Sequence, residues 1–561
     1  MKKLYLLLIF LIITSVSILG CAEKEPAPST APAPAPAPAP TPTPAPAPAP
    51  SPAPAPAPAP GIVPLPTELI PPAIGKAPIS GGILREVWAS GPMCLSYYPE
   101  MGPGDELGVM PALEKLMEYG YDNDIHPFLA ESVTVAPDGK RITFKIRKGI
   151  KFSDGSPLNA EAVAWNYQRA DETNKLQYND RLVSIEVADE YTMVLHTTMY
   201  DKLLLSSYGW VPIFSKAAWD KAGSTDEERK VWARANVVGT GPFILKEYKK
   251  DDHMTWVKNP DYWQPGKPYL NGYEIKFIPD PVVASAIMEA GEADMWTASS
   301  AQYNTNLQKK GFVLQGSTGT PITIYYNNKD AASLFNNKKL REAVEYAIDK
   351  SAVAKALGFG TWIPLENGIG PDMWGYDPNY KGREYNVAKA KQLLAEAGYP
   401  NGVKVKLNAL LGWEDQAQAI KRYLDDAGME TEIDMADPGR FFSMYWGGVG
   451  WTDMLLFLQA SSPNTLIVLH RTFGPEPKTR IASFVEPEEL NQLFNDARRP
   501  ETIDDMKAAA KKIVDYFTQE ALVTALWETS SRYVICPYVH TTYLKNSVIA
   551  RFCADDWMEK H

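Results

Sequence analysis

The sequence predicts an α/β protein, and three patterns carry that prediction. Segments with strictly alternating apolar residues, such as 141–147, indicate half-buried strands. Segments with apolar residues at helical spacing, such as 340–348, lie between them, and glycines stand where several of these helices are expected to end. The body runs from about residue 80 to residue 561, which is too long for one small core and favours two or three domains.

The amino terminus, residues 1–20, is interpreted as a secretory signal peptide. Two lysines precede an apolar run from Leu4 to Val16, and Gly20 stands directly before Cys21. The stretch resembles a bacterial lipobox, which implies cleavage before Cys21 and acyl chains on that residue. The protein is then expected to be exported and lipid-anchored to the outer face of the bacterial cytoplasmic membrane. An ordinary signal peptide with a chance cysteine is the alternative.

A low-complexity linker is expected over residues 21–79. Residues 26–60 are almost entirely proline and alanine, which excludes helix and sheet because proline fixes φ and lacks an amide proton. Such a tract is extended polyproline II and could reach roughly 100 Å at ~3.1 Å per residue. It is interpreted as a spacer between the anchor and the body, with a neutral insertion as the alternative.

Charge and cysteine content exclude some function classes. The net charge is −11, from 56 basic and 67 acidic residues, and the chain has no basic block, which argues against a nucleic-acid partner. With Cys21 in the anchor, Cys94, Cys536 and Cys553 remain, so at most one internal disulfide can form. Spacing alone leaves its pairing open.

The first half of the body is expected to begin with a strand and to continue through a mixed region. Asn159 is a suitable N-cap for the second helix, and Gly120 is expected to end the first. The predicted elements are a strand at 81–88, a helix at 111–119, a strand at 141–147, a helix from Asn159 to Ala170, and hairpin strands at 185–187 and 193–195.

Further along, strands and helices alternate as in α/β domains. The strand–helix–strand unit over 273–297 is expected to be parallel with a right-handed crossover. Up to residue 319, the predicted elements are hairpin strands at 243–248 and 254–258, a strand at 273–277, a helix at 282–290 and a strand at 293–297. Beyond it they are strands at 320–327, 403–407, 430–435 and 522–527 and helices at 340–348, 387–397, 417–424 and 508–517.

Several short motifs follow one another in an order that resembles a known family. They are 137–140 (PDGK), 144–155 (FKIRKGIKFSDG), 238–243 (VGTGPF), 259–263 (NPDYW), 291–294 (GEAD), 340–350 (LREAVEYAIDK), and 388–394 with 396–400 (AKAKQLL, EAGYP). Together they resemble the extracellular solute-binding proteins of ABC importers, in the oligopeptide-, dipeptide- and nickel-binding group called solute-binding family 5.

The resemblance implies a bilobal clamshell like that of periplasmic binding proteins, with a third, inserted domain and two hinge crossings near Thr320 and Trp527. Domain I would be discontinuous and domain II would be the insertion. The expected bounds are 80–120, 236–319 and 526–561 for domain I, 121–235 for domain II, and 320–525 for domain III.

The resemblance also implies a function. The protein would be a monomeric, lipid-anchored receptor that captures a solute, with peptide as the leading class, between domains I and III and delivers it to ABC permease subunits. The alternatives are an oligosaccharide or chelated-metal ligand, a sensory role, and an exported hydrolase.

No Gly-x-Ser-x-Gly elbow, Cys-x-x-Cys pair or helical histidine pair occurs, so the sequence predicts no enzyme activity, no metal and no cofactor.

Six residues are candidates for contact with ligand. Peptide-binding members of the family carry an aspartate in a Gly-Trp-containing loop, and the matching residue here is Asp453 after Gly450 and Trp451. It would bind an amine as a charge-assisted hydrogen bond, and a surface or capping role is the alternative. Large flat faces on strand-end loops suit sugars and side chains. The aromatic candidates are Tyr97, Tyr98, Trp413, Trp446 and Trp451, with simple packing as the alternative for each.

Overall fold

The computed structural model describes one compact unit that lies within Ala55–His561. The described residues are 65–69, 76–122, 124–172, 176, 179–297, 301–315, 320–330, 332–371, 373–447, 451–459, 464–475, 483–485, 487–499, 502–529, 533–542 and 551–559. The predicted signal peptide, Cys21 and most of the predicted linker lie outside them. Within these ranges, no helix is both long enough and apolar enough to span a bilayer.

Helices and strands alternate through most of the described chain. The helices are α1 (Pro103–Val109), α2 (Ala160–Asp171), α3 (Lys202–Gly209), α4 (Lys216–Lys221), α5 (Asp226–Ala235), α6 (Pro281–Glu289), α7 (Ala301–Lys309), α8 (Lys338–Ala347), α9 (Lys350–Gly358), α10 (Val387–Glu396), α11 (Glu414–Asp426), α12 (Pro438–Gly447), α13 (Thr465–Phe473), α14 (Glu488–Asp496) and α15 (Ile503–Gln519). The strands are β1 (Ile83–Trp88), β2 (Glu114–Lys115), β3 (Met117–Tyr119), β4 (Ile125–Pro127), β5 (Ala130–Val135), β6 (Arg141–Ile146), β7 (Leu182–Asp189), β8 (Thr192–Thr197), β9 (Pro212–Ile213), β10 (Phe243–Lys249), β11 (His253–Lys258), β12 (Gly272–Phe277), β13 (Met295–Trp296), β14 (Val313–Gln315), β15 (Thr320–Tyr326), β16 (Ile363–Pro364), β17 (Val403–Leu410), β18 (Met429–Ala436), β19 (Met454–Leu458), β20 (Val523–Thr529), β21 (Tyr533–Ile535), β22 (Val539–His540) and β23 (Trp557–Met558).

Sheet A has seven strands in the order β10-β11-β12-β1-β13-β21-β14. The first strand of the body, β1, is parallel to both β12 and β13, which therefore flank it. The predicted strand–helix–strand unit is β12-α6-β13, and its two strands are parallel but separated by β1. Sheet A thus combines strands from the beginning, the middle and the end of the body.

Sheet B has six strands in the order β16-β20-β15-β19-β17-β18. Strands β17, β18 and β19 are mutually parallel, whereas β15 and β20 are antiparallel to their neighbours. Helices α8, α10 and α11 cover one face, where the apolar residues predicted at 340–348, 387–397 and 417–424 form one buried cluster. The opposite face is also buried, in a second apolar cluster.

Sheet C is antiparallel, in the order β5-β6-β8-β7, and α2 packs against β7 and β8. Asn159 caps α2 by accepting a hydrogen bond from the Ala162 amide at 2.9 Å, as the sequence predicts. The edge strand β7 carries two bulges opposite β8, which disrupt its free edge for pairing with another chain.

The chain passes twice between sheets A and B, once from Gln315 at the end of β14 to Thr320 of β15 and once from Thr529 of β20 to Tyr533 of β21. Strands β14 and β21 pair in sheet A, and the strands that follow and precede them along the chain, β15 and β20, pair in sheet B. The Thr529 hydroxyl donates to the Thr320 carbonyl at 3.2 Å where these two strands begin and end. The protein is therefore a bilobal α/β clamshell with two hinge crossings and sheet C as an inserted domain, as the sequence predicts.

The predicted helix at 111–119 is wrong. Residues there form β2 and β3 instead, because their backbone is bound to another segment: the Gly241 amide donates to the Ala112 carbonyl and the Phe243 amide to the Pro111 carbonyl, both at 2.9 Å. A helix would direct these carbonyls along its own axis. Tertiary hydrogen bonding has overridden a local apolar pattern.

The glycines of 238–243 serve close approach rather than a turn. A Cβ atom at Gly239 would lie 1.9 Å from the Ala112 carbonyl oxygen, and one at Gly241 would lie 2.6 Å from it. Neither glycine has positive φ. These glycines are required because they lack a side chain, not because of their backbone conformation.

The same segment is held by a fully buried carboxylate, Glu114. It accepts hydrogen bonds from the Thr240 hydroxyl at 2.8 Å, the Tyr262 hydroxyl at 2.7 Å and the Trp263 indole at 2.8 Å. Burial raises the pKa of Glu114 to about 7, although these three hydrogen bonds act in the opposite direction. Motifs 238–243 and 259–263 thus meet at one acidic group.

Glu114→Gln is expected to change how stability depends on pH. A carboxyl group whose pKa is higher in the folded than in the unfolded chain stabilises the fold least at high pH, so its contribution falls between about pH 4.5 and pH 7. The wild-type free energy of unfolding should therefore decline by up to about 3 kcal/mol more than that of the variant over this range. Urea unfolding at pH 5 and pH 8 measures the difference, and parallel profiles would contradict it.

A second buried ionic cluster lies at the end of the chain. The Arg551 guanidinium contacts the Glu86 carboxylate at 2.9 Å and the Asp556 carboxylate at 2.5 Å. Cys553 lies beside this cluster, and Cys94, Cys536 and Cys553 are all buried free thiols. The disulfide that the sequence allowed is thus absent among the three cysteines that the structure describes.

Candidate functional site

The carboxyl ends of the parallel strands in sheet A lie beside the hinge. Strands β1 and β13 run in the same direction, and Trp296 at the end of β13 pairs with Val534 of β21. Strand β21 directly follows the crossing that leaves β20 at Thr529. The loops after β1 and β13 therefore leave sheet A next to the crossings.

In sheet B, too, the carboxyl ends of the parallel strands lie beside the hinge. Strand β19 is parallel to β17, and its last residue, Leu458, pairs with Ile322 close to the beginning of β15, where the crossing enters the sheet. In open α/β sheets, ligands bind at the carboxyl ends of the strands. The carboxyl ends of the parallel strands in both sheets thus lie next to the crossings. The crevice between these two edges is the candidate site.

Gln459 lies at this edge of sheet B, one residue beyond β19. Its backbone amide donates to the Pro321 carbonyl at 2.7 Å. Its side chain is only 1% exposed, yet the amide nitrogen Nε2 has no hydrogen-bond partner among the described residues. The Thr323 hydroxyl is likewise buried and unpartnered. Thr323 pairs with Phe457, two residues before Gln459, so both side chains lie on the same face of sheet B.

Asn367 is a third buried polar group without a partner within the described ranges, but it lies toward the amino-terminal end of β20, away from the crossing that follows Thr529. Its loop passes along β20, since the Leu365 amide donates to the Leu526 carbonyl at 3.1 Å and a Cβ atom at Gly368 would lie 3.9 Å from the Val523 side chain. The Asn367 side-chain oxygen is buried without a hydrogen-bond partner in the described part of the chain. Buried polar groups are normally paired, and those that are not often mark a place where something else binds.

Two predicted aromatic residues lie at the candidate site. Trp413 follows β17 at its carboxyl end, and its ring lies 5.8 Å from that of Phe457 on β19. Tyr98 lies in the loop after β1, half-buried against an apolar cluster that includes residues around sheet C and residues of the inner face of sheet B. Each comes from the hinge-side edge of its own sheet.

Tyr97 is a packing residue. It is buried, and its ring stacks on that of Trp219 with the centroids 4.8 Å apart. Trp219 in turn contacts Trp165 of α2, so Tyr97 joins the loop after β1 to the domain of sheet C. This is the packing alternative that the sequence left open for each aromatic candidate.

Asp453 lies at the opposite edge of sheet B, which contradicts its assignment to the same site as Trp413. Its carbonyl accepts a hydrogen bond from the Asn327 amide at the far end of β15, and its carboxylate accepts one from the Lys406 amide at 2.8 Å. Five residues of β19 separate it from Leu458, about 17 Å at ~3.3 Å per residue. Burial raises the pKa of Asp453, while the hydrogen bond from Lys406 lowers it. The Asp453 carboxylate therefore accepts a hydrogen bond from a backbone amide of β17 at the amino-terminal end of β19.

Trp451 lies away from the candidate site as well. Trp451 precedes β19 at the same far edge, where its carbonyl accepts a hydrogen bond from the Asn327 side chain at 3.1 Å, and its side chain is buried. Trp446 lies near the end of α12, and its side chain is outside the described part of the chain.

Sequence reasoning missed Gln459 and Thr323, and one signal could have found the first. Gln459 directly follows five consecutive apolar residues, 454–458, which form β19. No element is assigned to that run from the sequence, although a continuous apolar run is typical of a strand buried on both faces. No group of three or more His, Cys, Asp or Glu residues within the described ranges could hold a metal ion.

Comparison with protein families agrees with this geometry. Residues 124–464 match the model of the bacterial extracellular solute-binding proteins, family 5. Among curated proteins, the chain is similar to heme-binding protein A of Haemophilus influenzae, with 32% identity over 311 residues, and to the glutathione-binding protein GsiB of Escherichia coli K12, with 30% identity over 338 residues. The matches cover 50% and 57% of this chain and 55% and 64% of those relatives, so the chain spans less than two thirds of their length.

Solved structures share the fold. DppA of Helicobacter pylori, in complex with the peptide STSA, superposes with a TM-score of 0.73 at 23% identity, covering 86% of this chain and 99% of DppA. NikA of Brucella suis, in complex with Fe(III)-EDTA, superposes with a TM-score of 0.72 at 20% identity, covering 84% and 98%.

Proposed function

Because the chain belongs to family 5 of the bacterial extracellular solute-binding proteins, we propose that it is the substrate-binding receptor of an ABC importer. It captures a solute between the two lobes and delivers it to the permease subunits in the membrane. It acts as a binding protein rather than as an enzyme, since the named relatives are binding proteins.

One observation carries this proposal: both sheets turn the carboxyl edges of their parallel strands toward the same two crossings. A lobe that rotates about the crossings brings those edges together around a solute. The solute binds the closed arrangement more tightly than the open one, so its arrival shifts the population toward closure.

A peptide is the ligand class that we propose. The unpartnered groups of Gln459 and Thr323 are a donor and a hydroxyl, and neither carries a charge. Amide groups of a peptide backbone offer both matching partners, an N–H and a C=O. Trp413 and Tyr98 add flat apolar faces for side chains. Oligosaccharides and chelated metal ions are the alternatives.

Gln459→Met is expected to weaken binding of the natural solute at least tenfold, because a buried amide that bonds the ligand contributes about 1.5 kcal/mol. Native mass spectrometry of protein purified from its own cells identifies the solute, and calorimetry with that solute measures the change. Asp453→Asn is the matched control and should leave the affinity unchanged, since Asp453 lies at the other edge of sheet B. A loss of affinity in Asp453→Asn with unchanged affinity in Gln459→Met would place Asp453 in the site and exclude Gln459 from it.

The remaining assignments follow the sequence. We propose that Cys21 carries the acyl anchor of an exported, monomeric protein and that residues 21–79 hold the body away from the membrane. We also keep the predicted domain bounds. The strands of sheet A fall in the three pieces assigned to domain I, those of sheet C fall in 121–235, and those of sheet B fall in 320–525 except that β20 continues to Thr529.

A further inference from the structure

A group of charges connects the domain of sheet C to the domain of sheet B. Arg498, in the loop between α14 and α15, contacts the Asp201 carboxylate through Nε at 2.5 Å. Its Nη1 and Nη2 atoms contact the two carboxylate oxygens of Asp180 at 3.3 and 3.0 Å. Arg181 also contacts Asp201, at 3.2 Å. We call these four residues the interlobe ion cluster.

The two sides of the cluster belong to segments that are tied to different lobes. Residues 180–201 lie in the chain inserted between β1 and β10, so both ends of this insertion lead back to sheet A. Arg498 belongs to the segment between β15 and β20, which is tied to sheet A through the two crossings. The cluster therefore forms when the lobes are brought together.

The Arg498–Asp201 pair at the centre of the cluster is buried, Asp180 is 46% exposed, and the four charges balance. The side chains of Arg498 and Asp201 are 4% and 0% exposed, and two arginines face two aspartates. Asp201 is also fixed locally, because its other oxygen accepts the Leu203 amide at 2.8 Å and caps α3. The bidentate pair of Arg498 with Asp180 adds geometric specificity, as such arginine–carboxylate pairs do.

His470 and an apolar cluster lie beside the same contact between the lobes. Burial, together with the positive charges of Arg498 and Arg181, lowers the pKa of His470 on α13 to about 3. One of these arginines comes from each lobe. One continuous apolar cluster also includes residues around sheet C and residues of the inner face of sheet B.

We propose that the interlobe ion cluster is a latch that stabilises the closed arrangement of the lobes without touching the solute. It sets how often the unliganded receptor closes, and hence how much of the intrinsic affinity for any solute is realised. This role extends beyond the proposed transport function, because it holds whichever solute is bound.

Hydrogen–deuterium exchange of the full chain without ligand tests the latch. In Arg498→Met and in Asp201→Asn, amides of α3 and of residues 497–499 should exchange at least tenfold faster than in the wild type, while those of β17 stay unchanged. Asparagine keeps the oxygen that caps α3, so Asp201→Asn removes the charge alone. Arg499→Met is the matched control, since Arg499 is the next residue, is exposed, and pairs with Asp496 within its own domain.

The double variant should exchange no faster than the faster single variant, because either change already opens the same contact. Additive acceleration, or equal exchange in Arg498→Met and Arg499→Met, would overturn the latch. If Arg498→Met does not fold, Arg498→Lys, which keeps the charge and loses the bidentate geometry, should accelerate exchange at both peptides, and wild-type exchange in that variant would equally overturn it. None of these readouts depends on identifying a solute.

Discussion

Arg551→Met is expected to lower the free energy of unfolding by about 4 kcal/mol at pH 8, because it leaves two buried carboxylates without a cation. The carboxylates of Glu86 and Asp556 are both 0% exposed, and Arg551 is the cation that contacts each of them. Methionine replaces the aliphatic part of the side chain and restores none of the charge.

The loss should be smaller at pH 5. Burial raises the pKa of Asp556 to about 6, even though Arg551 lowers it. Without the arginine, the carboxylates hold a proton to higher pH, so the variant becomes less stable relative to the wild type as the pH rises through this region. Guanidinium unfolding followed by tryptophan fluorescence at pH 5 and pH 8 measures both values.

The control is Arg234→Met, which removes an exposed pair with Glu100. It should cost less than about 1 kcal/mol at either pH, as exposed ion pairs usually do. Equal losses for the two arginine variants, or a loss for Arg551→Met that grows toward low pH, would contradict the assignment.

Gly239→Ala is expected to destabilise the protein by about 3 kcal/mol or more, because the new Cβ atom would overlap the Ala112 carbonyl oxygen. The two atoms would lie 1.9 Å apart, and the obstructing atom is backbone that cannot rotate away. Relief requires the segment around Glu114 to move, which would also lengthen the hydrogen bond from Thr240.

The matched control for this change is Gly104→Ala in α1. No atom lies within 4 Å of a Cβ atom built there, so the variant should be neutral or more stable by up to about 1 kcal/mol. Thermal unfolding of both variants gives the comparison, and equal melting temperatures would exclude a steric requirement at Gly239.

Much of the fold follows from local pattern. The alternation at 141–147 becomes β6, Asn159 caps α2 by the predicted hydrogen bond, and Gly398 follows α10 with the positive φ of 100° that favours glycine after a helix. Each of these features is decided by a few neighbouring residues. The segment at 111–119 differs, since its conformation depends on carbonyls that meet residues 241 and 243.

The candidate site could be predicted only in part, because it depends on strand register. The position of Trp413 after β17 follows from the alternation that precedes it, and its contact with ligand stays a prediction. Asp453 was misplaced because β19 was not recognised, so the carboxyl edge of that strand could not be assigned. Gln459 can be placed at the carboxyl edge only when the pairing of β19 with β15 and the last residue of β19 are known.

The position of β21 has a consequence for the order of folding. This strand, residues 533–535, lies between β13 and β14, although both of these precede it by more than two hundred residues. While the chain is being synthesised and exported, the edges of β13 and β14 that pair with β21 stay unpaired until β21 has been made. Unpaired edges are prone to aggregation, so the newly made protein depends on late residues, or on a chaperone, to complete its first sheet.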